Sequence, residues 1–194
     1  MRVLVVYCHP NPESLIAAAL DRTLRALARG GHEVRVDDLY ASGFRPEMSA
    51  DERRGHKEPG VDAGLQPFAD RLHWAEALVL VYPTWWSGQP AMLKGWIDRV
   101  WIAGVAWTGN GRNGRPRPLL TNIRRIVVVT THGSTKLLNS LEGEAGKRTV
   151  TRSIRPMCSR RARTTWCALY GVDQSDEAKR TGFLDRVERT LAKL

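Results

Sequence analysis

No stretch of this chain is apolar for long enough to cross a bilayer, which takes roughly 20 such residues in succession, so stable membrane insertion is not expected. Cysteine is nearly absent. Cys8, Cys158 and Cys167 are an odd number at wide spacing, which argues against a disulfide framework and against a zinc site, so no metal is expected. Cys8 reads first as a small buried hydrophobe and second as a redox thiol at a strand end. The amino terminus runs directly into the strand-like Arg2 to Tyr7 without a signal-peptide pattern, and the expected compartment is the cytoplasm. Internal repeats, low-complexity tracts and linkers are missing too, so residues 1–194 are expected to form one domain.

Lysine is scarce as well, at six of the 30 basic residues, so the net charge of +10 is carried by arginine. Such a balance fits nucleic acid or a phosphorylated small molecule. The densest stretch, Lys147 to Arg155 followed by Arg160, Arg161 and Arg163, reads first as a solvated basic face, then as a contact for a nucleotide phosphate. No nucleic-acid motif accompanies it, and nucleic acid is not an expected partner.

What is present is an alternation of short β-branched runs with amphipathic stretches, the pattern of a parallel sheet wrapped by helices. Strands are expected at Arg2 to Tyr7, Glu33 to Asp38, Ala77 to Val81, Ile126 to Val129 and Thr164 to Tyr170. Helices are expected at Ser14 to Arg29, Leu65 to Trp74, Pro90 to Val100, Gly143 to Met157 and Asp176 to Leu194, with Ala41 to Gly64 an extended surface excursion. Right-handed crossovers then give a flavodoxin-like α/β fold, five parallel strands in the order 2-1-3-4-5 with helices on both faces. Its switch point places a ligand over the loops after strands one, three and four.

The most informative segment is Tyr82 to Val100, Y-P-T-W-W-S-G-Q-P-A-M-L-K-G-W-I-D-R-V. It follows a buried strand, and two tryptophans in succession cannot both face a core. Trp85 and Trp86, fenced by Pro83 and Pro90, make a rigid flat wall suited to a planar, hydrogen-bonding ring such as a flavin; the plainer reading is an ordinary core or interface aromatic pair. After strand one, Cys8-His9-Pro10-Asn11-Pro12-Glu13-Ser14 feeds a helix N-terminus, an anion site to which His9 and Ser14 add donors and Glu13 an unhelpful charge. Ser14 reads equally as a plain N-cap. After strand four, Thr130-Thr131-His132-Gly133-Ser134 offers hydroxyls, backbone donors and a histidine able to work near neutral pH. The run Gly109 to Gly114 matches G-x-G-x-x-G, but no helix can follow through Arg115-Pro116-Arg117-Pro118. It is read as a mobile surface loop that, with Trp107 and its arginines, forms one rim of the pocket.

Together these loops resemble the flavodoxin-fold NAD(P)H dehydrogenase (quinone) family, which takes in quinone reductases, modulators of drug activity and ancillary flavoproteins of potassium efflux. The likeness rests on His9-Pro10-x-Pro12-x-Ser14, Asp38-Leu39-Tyr40, Pro83-Thr84-Trp85-Trp86 with Pro90 to Val100, and Thr130-Thr131-x-Gly133. It implies a homodimer holding FAD or FMN, with FAD placed first, that passes hydride from NADH or NADPH to a quinone-like acceptor. On that analogy Pro83, Thr84, Trp85 and Trp86 line the flavin ring, Thr130, Thr131 and Gly133 approach its pyrimidine side, and His9, Ser14 and Leu15 meet the phosphates. His132 is the candidate catalytic residue. A regulatory flavoprotein of a membrane ion-efflux system is the other reading. The chain departs from the family twice. Lys136 to Ser140 lacks the family's tyrosine and histidine, with His132 standing where glycine is usual, and Ser14 is followed by Leu15-Ile16 in place of Phe-Asn.

Overall fold

Three uninterrupted aliphatic strands set the centre of the molecule. In a computed structural model that describes residues 1–56, 60–110, 114 and 116–194, β1 (Arg2–Tyr7), β3 (Ala77–Pro83) and β6 (Arg125–His132) lie side by side, buried on both faces. β2 (Glu33–Asp38) and β7 (Arg163–Tyr170) form the edges, where burial alternates with exposure. The five-stranded sheet has the order β2-β1-β3-β6-β7 and is parallel throughout, which is the expected 2-1-3-4-5 with β6 and β7 as strands four and five.

Each face of the sheet has its own core. Val3, Val5, Val79 and Val127 meet α1 (Leu15–Arg29) and α7 (Glu177–Leu191) through Ile16, Leu27, Phe183 and Val187. Leu4, Leu78, Leu80 and Ile126 meet α3 (Gln66–Trp74) and α4 (Ala91–Val100) through Leu72, Leu93 and Trp96. Each fully buried Leu, Val or Ile contributes about 1.5–3 kcal/mol, and this is what holds the strand ends in register beneath the loops.

Four expectations need amendment. The excursion from Ala41 to Gly64 contains a short helix, α2 (Ala50–Gly55), closed by a capping box in which Ser49 and Glu52 satisfy each other's backbone N–H groups. Arg99 of α4 pairs with Glu52 at 2.7 Å and also reaches the Arg45 carbonyl. A Cβ at Gly95 would overlap the Pro46 backbone, so this strap lies directly on α4. The stretch around Gly109 forms an antiparallel hairpin of β4 (Trp107–Asn110) and β5 (Pro116–Pro118), while Gly111, Arg112, Asn113 and Arg115 fall outside the described residues. Lys136–Leu141 forms an unforeseen helix, α5, capped by Thr135. The expected helix from Gly143 begins late, because Gly143 and Glu144 both have positive φ. It runs as α6 (Ala145–Arg148), widens to a π-helical turn at Thr149–Ile154 and closes in a 3₁₀ turn at Arg155–Met157, the expected end.

Candidate functional site at the carboxyl ends of the strands

The tryptophan loop is a tight turn. Trp85 and Gly88 exchange both backbone hydrogen bonds, at 3.1 and 3.0 Å, which leaves Trp86 and Ser87 as its two central residues. Both have positive φ, 48° and 59°. That geometry belongs to a type I′ turn, normally made by Asn or Gly, and a tryptophan there is strained. Neighbouring segments hold it in place: the Ser87 hydroxyl donates to Glu142, the Ser87 carbonyl accepts from the Gly146 N–H at 3.0 Å, and Gln89 donates to the Gly146 carbonyl at 2.9 Å. The result is that Trp86 stands wholly in solvent, with a relative exposure of 103%, and Trp85 half out beside it.

Facing this turn is the end of β6. Thr130, Thr131 and His132 lie inside the strand and are buried, not in a loop as expected. Their polar groups are spent on the neighbouring loop. The Thr84 N–H donates to the Thr131 carbonyl at 2.7 Å, and the Thr84 hydroxyl lies 3.0 Å from that of Thr130 and 3.4 Å from Nε2 of His132. Pro83 is likewise buried at the end of β3 and supports the turn from below. Among the described residues that line this gap, the N–H groups of Trp86, Ser87, Gly133 and Ser134 have no acceptor, so these are backbone donors left for a ligand. A cavity of about 320 Å³ separates the turn from Gly133 and Ser134, with Asn139 and Glu142 completing its lining.

His132 is not the near-neutral base its type implied. Burial pushes its pKa down to about 4 against a small opposing pull from Glu144 and Glu142, so the imidazole is neutral at pH 7. Its Nδ1 is buried without a partner among the described residues. The ring stacks on Tyr170, the last residue of the neighbouring β7, at 4.5 Å between centroids.

The loop after β1 completes the arrangement. The His9 ring meets Trp85 edge-on at 6.3 Å, and its Nδ1 lies 3.0 Å from the Asn11 backbone nitrogen and 3.1 Å from the Asn11 carbonyl oxygen, which leaves Nε2 without a partner among the described residues. Partial burial lowers the pKa of His9, which favours the neutral ring. The Ser14 oxygen accepts from the Ala17 N–H at 3.1 Å as the N-cap of α1, at the mouth of the helix N-terminus. Leu15 is the first residue of α1 and packs partly against the core. Trp107, expected at the pocket rim, instead lines a separate cavity of about 660 Å³ with Trp101 and Met157.

A family model described as flavodoxin-like fold matches residues 1–186. This chain belongs to that flavodoxin-like family. Among solved structures, a Streptococcus mutans protein, Smu.1420, aligns over all of both chains at 28% identity with a TM-score of 0.89. The NAD(P)H:quinone oxidoreductase of Methanothermobacter marburgensis aligns over 99% of this chain and 98% of its own at 27% identity and a TM-score of 0.85. A ribosyldihydronicotinamide dehydrogenase-like protein of Penicillium crustosum is 30% identical over 156 residues, 69% of this chain and 58% of the relative. The chain thus spans little more than half the length of that curated relative.

Sequence reasoning missed three residues of this flavodoxin-like site. Tyr170 reaches His132 only through the β6–β7 register, in which the two are direct partners. Glu142 and Asn139 arrive on or just after the unforeseen α5. A Ser/Thr N-cap followed by Leu137, Leu138 and Leu141 was the available signal for that helix. The residues present suit a flavin: an exposed aromatic wall for the ring, unpaired N–H groups opposite it for ring heteroatoms, and the helix N-terminus with His9 and Ser14 for phosphate.

Proposed function

We propose that this chain is a flavin-dependent NAD(P)H oxidoreductase that reduces quinones or related aromatic acceptors by two-electron transfer. The observation that carries the reading is the Trp85–Trp86 turn, held in a strained conformation that exposes an aromatic wall directly across from the free N–H groups of Gly133 and Ser134. Strain of about 1–3 kcal/mol per residue persists only where its surroundings impose it, and such places cluster at functional sites.

In this reading FAD or FMN is held by Trp85, Trp86 and Thr84 at its ring, by Gly133 and its neighbours at the ring heteroatoms, and by His9, Ser14 and the first turn of α1 at its phosphate. Thr130, Thr131 and Pro83 act from beneath, fixing Thr84 and the turn. The bound flavin supplies the chemistry, accepting hydride from NADH or NADPH and passing two electrons to the acceptor. The chain orients the ring, excludes water from one side of it and presents dipoles that do not reorganise during transfer. His132, neutral and with an unpartnered Nδ1, is the group proposed to hold or move a proton.

We also infer a homodimer. Of the seven large hydrophobic residues exposed among the described residues, Trp85 and Trp86 line this cavity and Leu137, Leu138 and Leu141 lie on α5, which contributes Asn139 to it, a concentration that a second copy would cover. No helix of the described residues is long and apolar enough to cross a membrane, and the three cysteines are buried free thiols, which suits a cytoplasmic protein. The test of the activity is NAD(P)H oxidation with FMN or FAD supplied and a simple naphthoquinone as acceptor. Quinone-dependent turnover supports the proposal, and its absence with either flavin and either nucleotide overturns it.

A further inference from the structure

α7 sorts its charges by face. Asp185 and Glu188 turn toward α1, where they meet Arg22 and Arg29. Arg186 and Lys193 turn the other way, toward the outer edge of the sheet, where with Arg125 they line a cavity of about 370 Å³; Arg189 sits between the two faces and lines both this cavity and the one formed by Arg22, Arg29, Asp185 and Glu188. The strands bring further positive charge to the same place. Arg125 and Arg163 are direct partners in the β6–β7 register, and by the two-residue period each lies on the face of Val127 and Cys167, the face that α7 covers. Like charges directly opposite in a sheet repel. Yet Arg125, Arg163, Arg186, Arg189 and Lys193 take no part in the ion pairs formed by the described residues.

Two ordinary explanations cover part of this cluster. Cations favour a helix carboxyl terminus, which accounts for Arg189, and charge on an edge strand blocks edge-to-edge pairing, which accounts for Arg163. Neither accounts for Arg125 on the inner strand. The Arg186 guanidinium is anchored by a 2.6 Å bond to the Ala168 carbonyl and lies 5.7 Å over the Phe183 ring. Thr165 lines the same cavity with a hydroxyl that has no recorded partner, whereas the Thr190 hydroxyl is already spent on the Arg186 carbonyl.

We propose that this cleft is an anion site for a di- or triphosphate group, free or carried on a nucleoside. Four cations lining one cleft and one free hydroxyl match a compact multivalent anion, with the Arg186 guanidinium partly engaged by the Ala168 carbonyl, and guanidinium groups pair with phosphoryl oxygens in a forked, two-bond geometry. The terminal carbonyls of α7 oppose it with about half a charge, which the four cations outweigh. The site is distinct from the one described above. It lies at the amino ends of β6 and β7, whereas the Trp85–His132 cavity lies at the carboxyl ends.

The test is calorimetric titration of the full chain, first saturated with FMN so that the helix N-terminus near Ser14 is filled, with tripolyphosphate and with ATP at low salt. We expect one saturable site per chain. Arg189→Glu with Lys193→Glu is expected to weaken binding at least tenfold, and Arg125→Gln several-fold. The same charge change made on exposed arginines elsewhere, Arg53→Glu with Arg117→Glu, is expected to alter it less than twofold. Neither side chain makes an ion pair or a side-chain hydrogen bond among the described residues, so the circular dichroism spectrum of the first double variant should match the wild type. Equal binding of both probes assigns the phosphate group itself as ligand, and tighter binding of ATP assigns a nucleoside phosphate. No saturable binding, equal loss in the two double variants, or binding only of duplex DNA or anionic vesicles would overturn the proposal.

Discussion

The imidazole of His132 lies flat against the phenol ring of Tyr170, centroids 4.5 Å apart and planes 17° apart. The two residues are 38 positions apart in the chain and meet because they are the last partners of the β6–β7 ladder. Tyr170 also shields the ring from water, and this burial holds the pKa of His132 near 4.

A pH dependence of stability follows. In the unfolded chain His132 takes up its proton near 6.5, in the folded chain near 4, so between those values the unfolded state binds more protons. Its contribution, up to about 3 kcal/mol, is complete above pH 6.5 and is lost as pH falls toward 4. Asp37 opposes this in part, because burial raises its pKa to about 6 despite its ion pair with Arg71. The informative quantity is therefore the difference between wild type and His132→Gln. Denaturant melts across pH 4 to 7 should show the wild type losing stability faster than the variant as pH falls, and parallel curves would refute the assignment.

The tryptophan turn gives a second prediction. Trp86 is fully exposed and its φ of 48° suits glycine, so Trp86→Gly removes strain and no buried contact. The variant should melt at or above the wild-type temperature, with a gain of up to about 1 kcal/mol, while releasing flavin faster in a dilution assay. A clear drop in melting temperature would mean the turn is not strained.

Two glycines separate fold from site. At Gly95 a Cβ would overlap the Pro46 backbone, which cannot yield, so Gly95→Ala should cost about 1–3 kcal/mol and expose the segment around Arg45 to protease. At Gly133 the Cβ would meet only the Asp173 carboxylate, at 2.8 Å, and that side chain can swing aside. Gly133→Ala should cost under about 1 kcal/mol by chemical denaturation. Equal losses would contradict the packing described for α4.

The sheet was legible in the sequence because Leu4 to Val6, Leu78 to Val81 and Ile126 to Val129 are continuous aliphatic runs that only a doubly covered parallel sheet explains. The Trp85–Trp86 turn could be placed because it follows such a run. What escaped reading depends on contacts remote in the chain. Tyr170 meets His132 through register alone, and the displaced start of α6 reflects a left-handed Glu144 that no propensity anticipates. Thr130 and Thr131 read as loop donors because hydroxyls favour loops, whereas pairing with Thr84 lets them continue the strand.

The most direct test of the central claim is the visible absorption spectrum of the protein reconstituted with FMN or FAD, followed anaerobically. The account predicts a protein-bound flavin band that NADH or NADPH bleaches and a quinone restores, and that Trp85→Ala fails to retain. A folded protein that binds neither flavin, or whose flavin band is indifferent to both nucleotides, would contradict it.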